Sequence, residues 1–134
     1  MIPSTNTILS ANLRVEKQPS KNYKMYMELN KIGGTCDNLE AMHQVVYKIL
    51  NTERYQHIIY SWNYGIELLG LFGEPITYVC PELQRRITEA LLQDDRINSV
   101  DNFEFDLTER KTVKVTFTVH TIFGELQEEK VVNL

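Results

Sequence analysis

The fold class of this chain follows from residues 103–119, which read FEFDLTERKTVKVTFTV. Phe103, Phe105 and Leu107 alternate with polar residues, and after the polar segment 108–111 the alternation resumes. The apolar residues of this second run are Val113, Val115, Phe117 and Val119. A period of two gives each of two strands one apolar face, so the sequence predicts an antiparallel hairpin.

A helix is expected to cover this hairpin, because an isolated hairpin is only marginally stable in water. A helical apolar stripe follows Cys80 and consists of Leu83, Ile87, Ala90 and Leu91. Pro81 suits the first helical position, where its missing N–H costs nothing, so we expect this helix to run from Cys80 or Pro81 to about Gln93.

A second helix is predicted from about Asn38 to Asn51, after a turn at Gly33-Gly34 and with Thr35 or Asp37 as its N-cap. Its apolar stripe comprises Leu39, Met42, Val46, Ile49 and Leu50. A short helix is predicted over 66–72.

The chain is thus expected to be α+β, with two main helices packed on a C-terminal antiparallel hairpin or small sheet. Residues 1–30 are polar and mixed and are interpreted as an extended N-terminal arm, with a strand from Tyr23 to Leu29. Residues 31–134 form the single predicted domain, in line with the usual size of one domain.

The last ten residues leave two structural alternatives open. Gly124 breaks the second strand, and the alternation from Glu125 to Leu134 fits an edge strand or a tail. A free strand there could accept a partner's strand through main-chain hydrogen bonds. Alternatively, charged side chains protect the edge; these are Glu125, Glu128, Glu129 and Lys130.

The aromatic side chains Tyr60, Trp62 and Tyr64 lie close together in a turn that ends at Gly65. Trp and Tyr bury large areas but must satisfy an N–H or O–H group, so such clusters lie at a core rim or at an interface. We favour the core rim.

The residues Asp94, Asp95 and Arg96 stand at the joint between the second helix and the hairpin. A guanidinium offers five donors in a rigid fork and binds a carboxylate or helix-end carbonyls in bidentate fashion. Arg96 therefore either pairs with Asp94 or Asp95 across the turn or grips a partner.

Composition argues against several classes of partner. The 134-residue chain has a net charge of −4 and a sequence pI near 5.4, which disfavours nucleic acid and anionic membranes as partners. Cys36 and Cys80 have no partner at metal-ligand or redox spacing, so no metal or cofactor is expected. The N-terminus lacks a signal-peptide pattern, so we expect a protein made and kept in the cytosol or released by lysis.

An enzymatic function is not favoured by the sequence. A glycosidase needs two carboxylates about 5–10 Å apart, and Glu53, Glu67 and Glu74 show no spacing that would pair them. Ser61 lacks the G-x-S-x-G setting of a hydrolase nucleophile. We therefore predict a chain that is not an enzyme, with cell-wall hydrolysis as the alternative.

Four segments carry a family resemblance: DNLEA at 37–41 with Gln44, ILNTERY at 49–55, IYSWNYG at 59–65, and ALLQDDRI at 90–97. Taken in order, they resemble the small baseplate wedge proteins, or sheath initiators, of contractile phage tails. The similarity covers nearly all of the chain from about Tyr23 onward and is closest to the version in PBSX-type prophages and tail-like bacteriocins.

This resemblance implies a structural component of a virion or tail-like particle, assembled in the host cytoplasm. It implies partners in the tail sheath, in baseplate wedge proteins and in the tail tube or hub, with sixfold copies. It also implies that the C-terminal strands template the first sheath ring by strand exchange, with the hairpin residues Val113, Val115, Phe117 and Val119 as the exchanging segment. A non-phage contractile injection system would use the same mechanism.

The family's Glu-Pro-Arg motif, which attaches the protein to the baseplate wedge, corresponds to Asp94, Asp95 and Arg96. An acidic residue and an arginine stand where the motif has them, while Asp95 replaces the proline. The resemblance therefore implies a wedge contact at this corner, with a changed local turn.

Overall fold

The computed structural model describes residues 20–134, and the predicted arm lies outside the described residues as far as residue 19. The regular elements are, in chain order, β1 (Asn22–Tyr26), β2 (Lys31–Cys36), α1 (Asn38–Leu50), α2 (Ile76–Leu92), β3 (Ile97–Asp106), β4 (Thr112–Thr121) and β5 (Gly124–Asn133). Short 3-10 turns occupy Met27–Leu29 and Leu69–Leu71.

The C-terminal strands form an antiparallel sheet in the order β3-β4-β5. Every second residue of the central strand β4 is buried, so its alternating pattern translates directly into one core face. The last segment is a full strand, because β5 pairs with β4 from Thr121–Gly124 to Thr112–Asn133 without a bulge. The predicted hairpin is thus the first part of a three-stranded sheet.

Both helices place their apolar stripes against the inner face of this sheet, which confirms the predicted α+β architecture. Met42 and Val46 of α1 and Leu83 and Ile87 of α2 are fully buried in one core with Phe117. The predicted bounds of α1 are confirmed within one residue, and the Asp37 side chain accepts a hydrogen bond from the Asn38 amide at 2.7 Å.

The predicted start of α2 was wrong. The helix begins at Ile76 after Pro75, and Pro81 lies inside it. Pro81 lacks the N–H that would reach the carbonyl of Thr77, which costs the helix one hydrogen bond. The added turn buries Val79 completely, so apolar burial offsets that loss.

The N-terminal hairpin also departs from prediction. Gly33 and Gly34 lie inside β2, and the chain instead turns at Asn30, which has the left-handed φ of 49°. Strand β1 ends at Tyr26 and pairs with β2, so this hairpin spans residue 30. The division into an arm and a domain at that residue stays a prediction.

A buried glutamine fastens the N-terminal hairpin to α1. The Gln44 amide accepts a hydrogen bond from the Met25 N–H and donates one to the Tyr23 carbonyl, both at 2.8 Å. The side chain therefore takes the place of a neighbouring strand on the outer edge of β1.

Two further predictions were wrong in their extent. The expected helix over 66–72 shrinks to the 3-10 turn at Leu69–Leu71. Leu107 is exposed, because the Asp106 carboxylate accepts the Thr108 amide and turns the chain out of β3. Within residues 20–134 no helix combines the length and apolar character needed to cross a membrane.

Candidate functional site

The joint between α2 and β3, here called the corner (Asp94–Arg96), is closed by an ion pair within the chain. Arg96 donates from Nε and Nη2 to the two Asp94 carboxylate oxygens at 2.9 and 2.7 Å, and its backbone amide donates to the same carboxylate at 2.9 Å. Both side chains are largely buried, at 17% and 14% exposure. Asp95 is exposed. Of the two partners considered for Arg96, the structure selects Asp94.

Burial and hydrogen bonding oppose each other at Asp94. Burial alone raises the pKa of its carboxyl, but the hydrogen bonds from the Arg96 side chain and backbone outweigh burial and lower the pKa below its ordinary value. The hydrogen bond to Asp94 raises the pKa of Arg96 in turn. The pair is thus held in its charged form.

An irregular loop, the aromatic loop (Tyr55–Tyr64), projects between α1 and α2. Its base is fixed by backbone hydrogen bonds from Arg54 to Ile66 at 3.1 Å and from Ile66 to Thr52 at 3.0 Å. Gly65 lies in this base at a φ of +91°, and a Cβ there would come within 2.5 Å of the Thr52 carbonyl oxygen. Only glycine fits this close approach.

Arg54 strengthens the base from inside. Its buried guanidinium donates to the Gly65 carbonyl at 3.3 Å and to Glu89 of α2 at 3.0 Å. The Glu53 carboxylate accepts the backbone amides of Leu68 and Leu69 at 3.0–3.2 Å. The hydrogen bonds of Arg54 and Glu53 therefore anchor the ends of the loop.

The tip of the aromatic loop carries its apolar side chains in solvent. Ile58 is 102% exposed, and Ile59 and Trp62 are each 86% exposed. Tyr64 is half-buried against the core and stacks on Tyr60 at a centroid distance of 4.5 Å. Tyr64 thus lies at the core rim, whereas Tyr60 and Trp62 are exposed.

The aromatic loop and the corner lie side by side. The Asn63 amide donates to Gln93 at the end of α2 at 3.0 Å, three residues before Arg96. Arg96 also donates from Nη1 to the hydroxyl of the buried Ser20 at 3.4 Å. The aromatic loop, the corner and the first described residue, which are far apart in sequence, therefore lie next to one another in the fold.

The two outer strands of the C-terminal sheet differ in regularity. Strand β3 has two register shifts, and Asn102 adopts the left-handed φ of 53°. Strand β5 has no shift, and its outer edge has no strand partner among the described residues. Both edges of β4 are paired, and its four apolar residues are fully buried: Val113, Val115, Phe117 and Val119.

Each charged side chain of β5 already has a partner. Glu125 pairs with His120 at 3.2 Å and Glu129 with Lys114 at 3.1 Å, both on the outer face. On the inner face the Lys130 ammonium reaches the Asn51 side chain at 3.1 Å. These side chains are directed towards β4 and α1.

Glu128 is the buried charge of this strand, and it contacts His43 of α1. Burial raises the pKa of Glu128, and the hydrogen bond from His43 opposes that rise. This pair was not predicted from the sequence, although the alternation of β5 puts Glu128 on the same face as Leu126 and Val132. The signal that could have revealed the pair is a carboxylate among the apolar residues of one strand face.

The carboxylates considered for hydrolysis differ in their surroundings. Glu53 is engaged by backbone amides, Glu67 lies 3.7 Å from Arg54, and Glu74 is exposed. Within residues 20–134 no group of three His, Cys, Asp or Glu side chains is arranged to hold a metal ion. The free thiols of Cys36 and Cys80 lie in β2 and α2.

The chain is similar to known proteins over most of its length. The family model described as contractile injection system sheath initiator matches residues 19–124. The phage-like element PBSX protein XkdS of Bacillus subtilis strain 168 is 39% identical over 119 residues, which are 86% of this chain and 84% of that protein.

Proposed function

The chain belongs to the contractile injection system sheath initiator family, and from this premise we propose that it joins the baseplate wedge to the tail sheath and templates the first sheath ring by β-strand exchange. Its role is structural, in the sheath of a contractile tail. The regular outer edge of β5 carries the proposal for strand exchange.

Strand addition requires an edge with free backbone groups and an even register. The edge of β4 is closed on both sides, so its four buried residues serve as the core that holds the sheet. The bulges of β3 interrupt its edge, and bulges are a common protection against pairing. The β5 edge is the one suited to receive a strand from the first sheath ring.

The register indicates which amides of β5 are free. Only Ile122 and Phe123 lie between Thr121 and Gly124 in the chain. Thr121 and Gly124 therefore close the hairpin and form backbone hydrogen bonds with each other. Antiparallel hydrogen bonds alternate along a strand, so the N–H groups of Gln127, Glu129 and Val131 point away from β4. A sheath strand would bond to these groups.

The charges of β5 do not prevent this pairing. An incoming strand that met unpaired charges would have to desolvate them, which costs several kcal/mol per ion. Here Glu125 and Glu129 are paired to β4, and Glu128 is paired to α1. The protective role considered for these residues is therefore weaker than their number suggests.

The corner is the proposed contact with the baseplate wedge. Asp94 holds the Arg96 guanidinium in one orientation, which lowers the entropy cost of a further contact. The exposed Asp95 supplies a free carboxylate where the family motif has proline. We propose that the wedge protein meets Asp95 and the outer atoms of Arg96.

The observations do not favour the alternative of cell-wall hydrolysis. Among residues 20–134 the carboxylate whose pKa is raised by burial is Glu128, and its hydrogen-bond partner is His43 of α1 rather than a second acid. Purified protein is expected to leave peptidoglycan intact. Clearing that is lost in Glu53→Gln or Glu67→Gln would restore the enzymatic hypothesis.

Electron microscopy of tail particles from cells that lack this gene tests the proposal. We expect tubes or baseplates without sheath, and restoration by the normal chain. Complementation with Asp95→Ala tests the wedge contact separately, because this exposed side chain adds little to folding. Normal sheathed particles without the gene would contradict the templating role.

A further inference from the structure

The tip of the aromatic loop carries three exposed apolar side chains, Ile58, Ile59 and Trp62. They take no part in the core, in the proposed strand exchange or in the ion pair of the corner. Three adjacent apolar side chains that are each at least 86% exposed form a patch that soluble proteins normally cover or use for binding. The groove at this tip is lined by Tyr55, His57, Ile58, Tyr60, Ser61 and Trp62.

The start of the described chain identifies what can cover this patch. Ser20 is buried beside Arg96, and the corner is joined to the loop by the hydrogen bond from Asn63 to Gln93. Ser20, which residues 1–19 precede in the chain, therefore lies next to the aromatic loop.

Residues 1–19 have the composition to fit that surface. They contain the apolar residues Ile8, Leu9, Leu13 and Val15. Leu13 lies seven residues before Ser20, and an extended chain of that length spans about 24 Å. The segment also carries Arg14 and Lys17 against a single acid, Glu16, in a chain whose net charge is −4.

We propose that residues 1–19 of this chain bind across the tip of the aromatic loop and cover Ile58, Ile59 and Trp62. The interaction keeps the patch from associating with other copies, and a baseplate partner that binds at the corner has to displace or extend it. This proposal does not depend on strand exchange at β5.

The sole tryptophan of the chain, Trp62, reports directly on this contact. The test compares the emission maximum of Trp62 and its quenching by acrylamide in three full-length proteins. They are the normal chain, a variant with Leu9→Glu, Leu13→Glu and Val15→Glu, and a control with Ser10→Glu, Asn12→Glu and Gln18→Glu. The control adds the same charge to the same segment at polar positions.

We expect blue-shifted emission and weak quenching in the normal chain and in the control. The apolar-to-Glu variant should show red-shifted emission and severalfold stronger quenching, with unchanged far-UV circular dichroism. Trp62 that is already fully accessible in the normal chain would overturn the proposal and assign the patch to another protein of the particle. Protection that survives in the variant and falls on dilution would overturn it in favour of a second copy.

Discussion

The C-terminal sheet and the aromatic loop expose different parts of the chain. In β5 the side-chain charges are partnered, and the outer backbone edge has no strand partner within residues 20–134. In the aromatic loop the backbone ends are bonded, and the core of the described residues leaves the apolar side chains of the tip uncovered. A backbone edge accepts many sequences, which suits a strand-exchange template, whereas an apolar side-chain patch selects one partner.

The largest expected effect contrasts one aromatic residue from each region. Phe117→Ala removes a fully buried ring from the sheet core and should lower the free energy of unfolding by about 3–5 kcal/mol. Trp62→Ala should cost about 1 kcal/mol or less, because that ring takes no part in the core of the described residues. Urea unfolding measures both, and equal losses would contradict the contrast.

The base of the aromatic loop can be tested by a pair of glycines. Gly65→Ala should cost about 3 kcal/mol, since the strained φ of +91° and the contact with the Thr52 carbonyl both oppose a Cβ. Gly73→Ala is the matched control, with a φ of +83° but no atom within 4 Å of the added Cβ. It should cost only about 1 kcal/mol. Similar losses in thermal unfolding would show that the close approach is unimportant.

The corner separates a folding role from a binding role. Arg96→Ala leaves the largely buried Asp94 without its charged partner and should cost about 2–3 kcal/mol of folding stability. Asp95→Ala should change stability by about 0.5 kcal/mol or less. Chemical denaturation of both variants measures this difference, and a neutral Arg96→Ala would mean that the ion pair does not hold the corner.

The same pair has a defined pH dependence. The pKa of Asp94 is lowered on folding, so its contribution is present above the unfolded pKa and is lost as the pH falls through the folded value. The deficit of Arg96→Ala relative to the normal chain should therefore shrink below about pH 4. A deficit that stays constant with pH would indicate lost packing rather than a lost ion pair.

The smallest expected effect concerns the outer face of the sheet. His120 of β4 contacts Asp101 of β3 at 2.8 Å and Glu125 of β5 at 3.2 Å. The hydrogen bond to Asp101 raises the pKa of His120, so its stabilisation is fully present below the unfolded pKa and is lost as the pH rises through the folded value. Melting temperatures of the normal chain and of His120→Gln should therefore differ most at acidic pH and converge as the pH rises through the raised pKa of His120. Curves that stay parallel would exclude this coupling of the three strands.

The sequence predicted those parts of the fold whose pattern is local. The alternation through Val113 and Phe117 fixed the central strand, and the apolar stripe with Asp37 as cap located α1. Pro81 was misleading, because proline favours a helix start but a helix can lose one hydrogen bond when Val79 is buried in return. Gly33 and Gly34 were also misleading, because two glycines favour a turn but here lie inside β2.

The candidate site was less predictable, because it depends on contacts between distant segments. The Asp94–Arg96 pair lies within one turn and was among the alternatives considered. The hydrogen bonds of Gln44 to β1 and the contact of Glu128 with His43 join residues that are far apart in the chain. The exposure of Trp62 likewise depends on how distant segments pack. No local pattern specifies such contacts.

The most direct test of the proposed strand exchange is electron microscopy of tail particles that carry Gln127→Pro. Proline removes an N–H that points away from β4 and is tolerated on an edge strand, so the fold should persist while strand addition fails. Gln127→Ala is the matched control, since it changes the side chain but keeps the N–H. We predict baseplates and tubes without sheath for Gln127→Pro, and normal sheathed tails for Gln127→Ala. Normal sheaths on particles that contain folded Gln127→Pro protein would contradict strand exchange at β5.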